Sequence, residues 1–164
     1  MRLGVLVAVL ALAMPAAAGP AQFARIQYVI DGDTVVLANG EHVRLVQIDS
    51  PEVQEHECYG AAARTVLRRL APPGTMVRLE ADPRLDQVDR CGRLLRYLFR
   101  GPLNLNLELV RQGAATVWFY HHDRGRYAGQ LLRAALAARA ARRGLWGACP
   151  GTPFDPYHAA STGP

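Results

Sequence analysis

The sequence has 164 residues, of which 50% are hydrophobic and 20% are charged. These values predict one compact domain with its own core, and they exclude both an intrinsically disordered chain and a pair of domains of ordinary size. The formal net charge is +5 and every basic residue other than histidine is an arginine. This charge is compatible with a polyanionic partner, but a compositional bias of the source genome explains it equally well.

The first eighteen residues are typical of a secretory signal peptide. Arg2 is followed by the apolar run Leu3–Met14, then by Pro15 and the small residues Ala16–Ala18. A positive start, a short hydrophobic stretch and an Ala-x-Ala site form the pattern of a cleaved signal. The segment 1–18 is therefore predicted to be removed, which predicts a secreted or periplasmic protein with no lasting membrane association.

The rest of the chain alternates between β and helical patterns. Strands are predicted at Phe23–Ile30, Thr34–Leu37, His42–Ile48, Met76–Glu80 and Leu94–Phe99. Helices are predicted at Tyr59–Leu70, Leu103–Gln112 and Tyr127–Arg143. The Asn39-Gly40 pair is a strong hairpin signal between the second and third strands.

This order predicts a mainly β fold with helices, of the α+β class. The expected architecture is a five-stranded OB-fold barrel with about three α-helices, formed by residues 19–149. The remaining residues, 150–164, are rich in Pro, Gly, Ser and Thr, a composition that predicts a disordered tail. OB barrels commonly bind oligonucleotides, but a fold alone does not establish a function.

Three segments carry the polar side chains most suited to chemistry: Asp31–Thr34, Arg44–Glu52 and Asp89–Arg93. In the second segment a strand ends in Asp49 and Glu52, and Pro51 between them cannot continue a central strand. Both carboxylates are therefore expected at the rim of the barrel. In the third segment Gly92 makes a turn that would direct Arg93 inward at the start of a strand.

Together these residues suit the hydrolysis of a phosphodiester. Asp33, Asp49 and the carbonyl oxygen of Ser50 are hard oxygen ligands of the kind that Ca²⁺ prefers. Glu52 is placed to hold or deprotonate an attacking water molecule. The guanidinium groups of Arg44 and Arg93 can each bind two phosphate oxygens, which lysine cannot do.

In their order and approximate spacing, these segments resemble the staphylococcal nuclease (thermonuclease) family. Further matches are Tyr59-Gly60, Asn106, the run Leu109–Ala115 and Gly144–Trp146, so the resemblance covers about Arg25 to Trp146. It implies an OB barrel and Ca²⁺-dependent hydrolysis of DNA and RNA that leaves 3′-phosphate products. It also implies metal binding by Asp33, Asp49 and Ser50 and catalysis by Arg44, Glu52 and Arg93. Nothing in the sequence indicates an obligate oligomer, so a monomer is expected.

The sequence departs from the family pattern in the region expected to bind the nucleotide. Cys91 stands where a tyrosine is usual, and Ser50 stands where threonine is usual but offers the same carbonyl. The aromatic stretch Trp118–His121 occupies the place of the family's base-stacking tyrosines, with the register left open. Phe119 and Tyr120, together with Arg90, are the predicted substrate-binding residues.

Three cysteines allow one disulfide and leave one thiol over. Cys91 lies within a shared motif, whereas Cys58 and Cys149 lie just outside the motifs, so a Cys58–Cys149 bridge is favoured. A zinc site is the alternative, although close C-x-x-C spacing is missing.

Two other functions compete with a nuclease. One is a non-catalytic OB-fold module that binds nucleic acid, and the other is a secreted protein that binds another anionic polymer with calcium as a structural ion. A non-catalytic module would be expected to lack some of the acidic and arginine positions, all of which are present here. The polymer-binding function explains the charge but leaves Glu52 and the paired arginines without a task.

Overall fold

The computed structural model describes residues 21–163, so the predicted signal peptide lies outside the described residues. The strands are β1 Gln22–Val29, β2 Thr34–Leu37, β3 His42–Leu45, β4 Ile48–Asp49, β5 Met76–Glu80, β6 Leu94–Arg100, β7 Leu103–Asn104 and β8 Thr116–Val117. The helices are α1 Gly60–Leu70, α2 Leu105–Arg111, α3 Ala128–Ala140 and α4 Leu145–Ala148. Within residues 21–163, no helix is both long enough and apolar enough to cross a membrane.

Five of the strands close into a barrel. β1 pairs antiparallel with both β2 and β5, β2 pairs with β3, and β5 pairs with β6. A parallel pairing of β3 with β6 closes these five strands into a ring. The predicted α+β barrel of the OB type is confirmed.

The core lies inside the barrel and beneath the helices. Val35, Leu37, Val43 and Leu45 are fully buried. Helix α1 buries Ala63, Val66 and Leu67, and α3 buries Ala128, Leu131, Ala135 and Ala138. Intervals of three and four residues place these side chains on one face of each helix, which explains why the two helices were predictable from the sequence.

The predicted strand His42–Ile48 is broken in the structure. Gln47 adopts a left-handed backbone conformation with φ of 66°, which separates β3 from β4. The amide of buried Asn106 spans the break, since its Nδ2 donates to the Val46 carbonyl and its Oδ1 accepts from the Leu98 N–H. Local β propensity predicts a continuous strand here, whereas these tertiary hydrogen bonds favour a kink.

The two later helices are shorter than predicted. The Asn104 side chain accepts from the Leu107 N–H at 3.1 Å, so Asn104 is the N-cap and α2 begins at Leu105, two residues later than predicted. Helix α3 ends at Ala140 because Arg142 and Gly144 both have positive φ values. The segment from Leu145 to Ala148 then forms the separate turn α4.

The predicted disulfide is present in the structure. Cys58 and Cys149 are bonded, with their Cα atoms 5.9 Å apart, and Cys91 is a free, exposed thiol. The bridge joins the segment that precedes α1 to the residue that follows α4. Beyond it, the composition of the tail predicts disorder, yet residues 150–163 have defined contacts with the domain, including a hydrogen bond from Phe119 N–H to the Pro156 carbonyl.

Candidate functional site

The turn between β1 and β2 places two aspartates inside the protein. Asp31 Oδ1 accepts a hydrogen bond from the Asp33 N–H at 3.0 Å, which tightens the turn. The turn also packs closely against its surroundings, because a Cβ atom on Gly32 would lie 2.7 Å from the Cβ atoms of both Ser50 and Ala63. Glycine is therefore required at this position, and the turn holds the Asp33 carboxylate beside Ser50.

Arg44 links the aspartates of two separate segments. It lies on β3 opposite Thr34 in the β2–β3 register. Its Nη1 donates to Asp33 Oδ1 at 2.6 Å and its Nη2 donates to Asp49 Oδ1. The Ser50 N–H donates to the second oxygen of Asp33 at 2.7 Å. The structure thus brings together four residues that the sequence predicts for one site: Asp33, Arg44, Asp49 and Ser50.

This cluster carries an excess of buried negative charge. Burial, followed by repulsion from Asp33, raises the pKa of both Asp31 and Asp49 to about 7. Burial disfavours the charged form of Arg44, but Asp33 and Asp49 outweigh it and raise the pKa of the guanidinium. Among residues 21–163, Arg44 is the only ion-pair partner of these aspartates. One guanidinium therefore faces three buried carboxyl groups.

The donor set fits a hard divalent cation. The carboxylates of Asp33 and Asp49 offer anionic oxygens, and the extra cation would offset the surplus charge. The Oγ atom of Ser50 is buried without a hydrogen-bond partner, which leaves an unused oxygen beside them. Within the described residues, however, no group of three or more His, Cys, Asp and Glu side chains is arranged to hold a metal. A cation here would accordingly need backbone carbonyl or water ligands as well.

Glu52 and Arg93 face a common cavity of about 300 Å³ beside the cluster. Asp31, His42 and Arg64 also line it. Glu52 is half-buried, and burial, followed by the charge of Asp33, raises its pKa above the ordinary value for glutamate. The cavity thus combines carboxyl groups with two guanidinium groups.

Arg93 is held by one edge of its guanidinium. Its Nε donates to Asp89 Oδ2 at 2.6 Å, and its backbone N–H donates to Asp89 Oδ1 at 2.9 Å. Within residues 21–163 its two Nη atoms have no hydrogen-bond acceptor. Asp89 thus orients the side chain and leaves the two-pronged end available for an anion.

A second cavity, of about 210 Å³, lies on the other side of Arg93 and has aromatic walls. Trp118 and Tyr120 line it with their ring centroids 5.4 Å apart. The Cζ atom of Arg44 lies 5.5 Å from the centroid of the Trp118 ring, and the Cζ atom of Arg90 lies 5.9 Å from the centroid of the Tyr120 ring. An aromatic surface beside guanidinium groups suits a nucleobase attached to a phosphate.

The structure does not place Phe119 in this aromatic cavity. Phe119 is fully buried, with Arg124 4.7 Å from its ring centroid. The side chains on either side of it, those of Trp118 and Tyr120, reach the cavity instead. Trp118, rather than the predicted Phe119, therefore lines the aromatic cavity beside Tyr120.

Sequence reasoning placed Asp31 in a candidate segment without giving it a role, and it did not single out Arg64. The Asp31-Gly32-Asp33 pattern signalled a turn, and the proximity of Gly32 to Ser50 is what converts this turn into part of the site. Arg64 lies on α1, and only the packing of that helix brings it to the cavity that contains Glu52. No local signal in the sequence distinguishes Arg64 from the other arginines.

The sequence is similar to that of several known proteins. The model of the family described as staphylococcal nuclease homologue matches residues 42–148. A thermonuclease of Staphylococcus intermedius is 33% identical over 102 residues, which cover 58% of this chain and 59% of that protein. A thermonuclease of Staphylococcus hyicus is 29% identical over 125 residues, 72% of each chain. Endonuclease YncB of Bacillus subtilis is 30% identical over 71% of this chain and 58% of its own length.

Proposed function

Because the chain belongs to the family of staphylococcal nuclease homologues, we propose that it is a secreted or periplasmic Ca²⁺-dependent nuclease. It hydrolyses phosphodiester bonds of DNA and RNA as a monomer and leaves 3′-phosphate products. One observation carries the proposal: Glu52 and Arg93 share a cavity beside the buried ion-pair cluster of Asp33, Arg44 and Asp49.

Asp33, Asp49 and the Ser50 carbonyl would hold the cation. When bound, Ca²⁺ supplies positive charge that neutralises negative charge on the phosphate oxygens. The protein contributes a rigid frame for these ligands, because the Ser50 N–H and Arg44 fix both carboxylates from the protein side. Preorganised ligands of this kind need little rearrangement during the reaction.

Glu52 acts as the general base. Its raised pKa makes the carboxylate a stronger proton acceptor than an exposed glutamate. It takes a proton from a water molecule while the water oxygen forms a bond to phosphorus. The bond from phosphorus to the 5′ oxygen breaks, and that oxygen leaves with the bonding electrons and receives a proton from solvent.

The arginines bind and stabilise the reacting phosphate. Arg93 is oriented by Asp89 and offers its Nη atoms to two phosphate oxygens. Arg44 supplies a second guanidinium from within the cluster. Because Arg93 also lines the aromatic cavity, a phosphate bound there would place its nucleoside against Trp118 and Tyr120, with Arg90 at the rim.

Cleavage assays with a matched pair of glutamate variants test this function. Purified protein lacking residues 1–18 is incubated with single-stranded DNA and with RNA, in Ca²⁺ and in a calcium chelator. Glu52→Gln should lower turnover by roughly 10²- to 10⁴-fold, because it removes the base and keeps the shape of the side chain. Glu55→Gln is the control, since Glu55 is exposed on the same loop and should retain full activity.

The outcomes separate the competing functions. Calcium-dependent cleavage that is lost only in Glu52→Gln supports the nuclease and its general base. Binding of nucleic acid without cleavage, in all three proteins, would instead assign the chain to the non-catalytic OB modules. Normal turnover of a correctly folded Glu52→Gln protein would remove Glu52 from the mechanism.

A further inference from the structure

The tail segment, residues 150–163, crosses the candidate metal site. The backbone N–H of Ala160 donates to Asp49 Oδ2 at 2.6 Å. The other oxygen of Asp49 accepts from Arg44. Both oxygens of Asp49 therefore accept hydrogen bonds within the protein. Asp49 is only 5% exposed, so little room remains for another partner.

Contacts on both sides of Ala160 hold the tail in this position. Before it, the Pro156 carbonyl accepts from the Phe119 N–H at 2.7 Å. After it, the Gly163 carbonyl accepts from the Cys58 N–H at 2.7 Å, and Thr162 Oγ1 donates to the Cys58 carbonyl at 2.8 Å. Because the disulfide at Cys58 also fixes the start of the tail, the segment is tethered beside the site it crosses.

A donor N–H and a cation cannot use the same oxygen lone pair. The hydrogen of the Ala160 amide carries partial positive charge, so it would repel a cation bound to the same oxygen. Asp33 also accepts hydrogen bonds at both oxygens, since its Oδ1 accepts from Arg44 and Thr34 and its Oδ2 accepts from the Ser50 N–H. In this arrangement the anionic oxygens are already paired with donors from the protein.

We propose that the tail is an intramolecular competitor for the divalent cation, and that the Ala160 amide sets the metal affinity of the site. This inference rests on the proposed function, because it takes Asp49 to be a metal ligand. When the cation binds, the Ala160 N–H leaves Asp49 Oδ2 and the tail lifts from the site. By linkage, the factor by which the tail weakens metal binding equals the factor by which the metal loosens the tail.

The test removes the hydrogen bond from the Ala160 N–H to Asp49 Oδ2 in the full chain. Ala160→Pro removes the N–H and keeps a small apolar residue, because proline has no backbone donor. Ala159→Pro is the control, since it adds the same ring one residue earlier and leaves the Ala160 donor in place. Isothermal titration with Ca²⁺ at pH 8 measures affinity without depending on cleavage. A hydrogen bond to a charged acceptor corresponds to roughly a tenfold or larger gain in affinity for Ala160→Pro, with Ala159→Pro within about twofold of wild type.

Hydrogen exchange of the wild-type protein is the second measurement. The Ala160 amide should exchange slowly without Ca²⁺ and much faster with Ca²⁺, whereas the core amide of Leu98 should not change. Equal or weaker Ca²⁺ binding by Ala160→Pro, or fast exchange of Ala160 without the ion, would overturn the competition. If the wild type still cleaves nucleic acid with Ca²⁺, only the tail inference falls. If the wild type neither binds Ca²⁺ nor cleaves nucleic acid, both the proposed function and this inference are wrong.

Discussion

Asp31 is the buried carboxyl group with the least compensation, so its removal should change how stability depends on pH. It is 6% exposed, and within the described residues it forms no ion pair. Burial, then repulsion from Asp33, raises its pKa from 3.8 to about 7. Between these two values the folded protein holds a proton that the unfolded chain releases. The contribution of Asp31 to the free energy of unfolding should therefore be highest below pH 4, fall as the pH rises to 7, and level off above 7.

The size of this loss follows from the two pKa values. Each pH unit across the titration of one carboxyl group is worth about 1.4 kcal/mol, so the full loss is about 4 kcal/mol. Most of it, about 3 kcal/mol, occurs between pH 5 and pH 8. Asp31→Asn keeps the side-chain oxygen that accepts from the Asp33 N–H and cannot ionise. The variant should therefore be more stable than wild type at pH 8 by several kcal/mol, and it should lose about 3 kcal/mol less stability than wild type between pH 5 and pH 8. It should keep the pH dependence that the raised pKa of Asp49 contributes.

Urea denaturation at pH 5 and pH 8, with a chelator present, measures the effect. Asp86→Asn serves as the matched control, because Asp86 is exposed and forms no ion pair among residues 21–163. Its pH dependence should equal that of wild type. If wild type and Asp31→Asn lose the same stability between pH 5 and pH 8, burial does not raise the pKa of Asp31 in the folded protein.

Two further predictions concern the scaffold. The Cys58→Ser/Cys149→Ser protein should be less stable than wild type by about 4.5 kcal/mol, since the bridge closes a loop over a sequence separation of 91 residues. Cys91→Ser is the control, and a urea midpoint of the double variant equal to that of wild type would contradict this prediction. Gly113→Ala should cost about 3 kcal/mol or more in urea denaturation, because φ is +69° and the new Cβ would lie 2.2 Å from a carbonyl oxygen. Gly40→Ala separates the two causes, since Gly40 has φ of +86° but no atom within 4 Å of its Cβ, and comparable losses in the two variants would exclude a steric clash.

The barrel was predictable because its strands and helices carry strong local patterns. The Asn39-Gly40 turn and the residues at intervals of three and four in α1 and α3 are readable from short windows of sequence. The errors occur where distant atoms decide the backbone. The kink at Gln47 depends on Asn106, sixty residues away from the carbonyl that it binds. No window of local sequence contains that hydrogen bond.

Some residues of the candidate site were likewise predictable from the sequence, and others were not. The carboxylates and arginines were predictable because they cluster in three segments whose strand ends meet at one rim. The aromatic positions were not, because consecutive residues on an extended segment point in opposite directions. In the structure Val117 and Phe119 are buried and Trp118 between them lines the cavity, but the sequence does not reveal which of these residues begins the alternation. A shift of one residue therefore exchanges a core side chain for one that lines the cavity.

Function and stability oppose each other in this site. A cluster able to hold a divalent cation must keep several carboxylates close together, and without the cation the charge on Asp31 alone costs about 4 kcal/mol at neutral pH. The disulfide contributes a similar amount with the opposite sign, and it lies at the start of the tail whose amide satisfies Asp49. One covalent bond thus offsets the cost of the acidic cluster and also holds near it the donor that pairs with Asp49 in the absence of metal. Reduction of this bond should on these grounds loosen the tail before it unfolds the barrel, because the strand pairings that close the barrel do not involve Cys58 or Cys149.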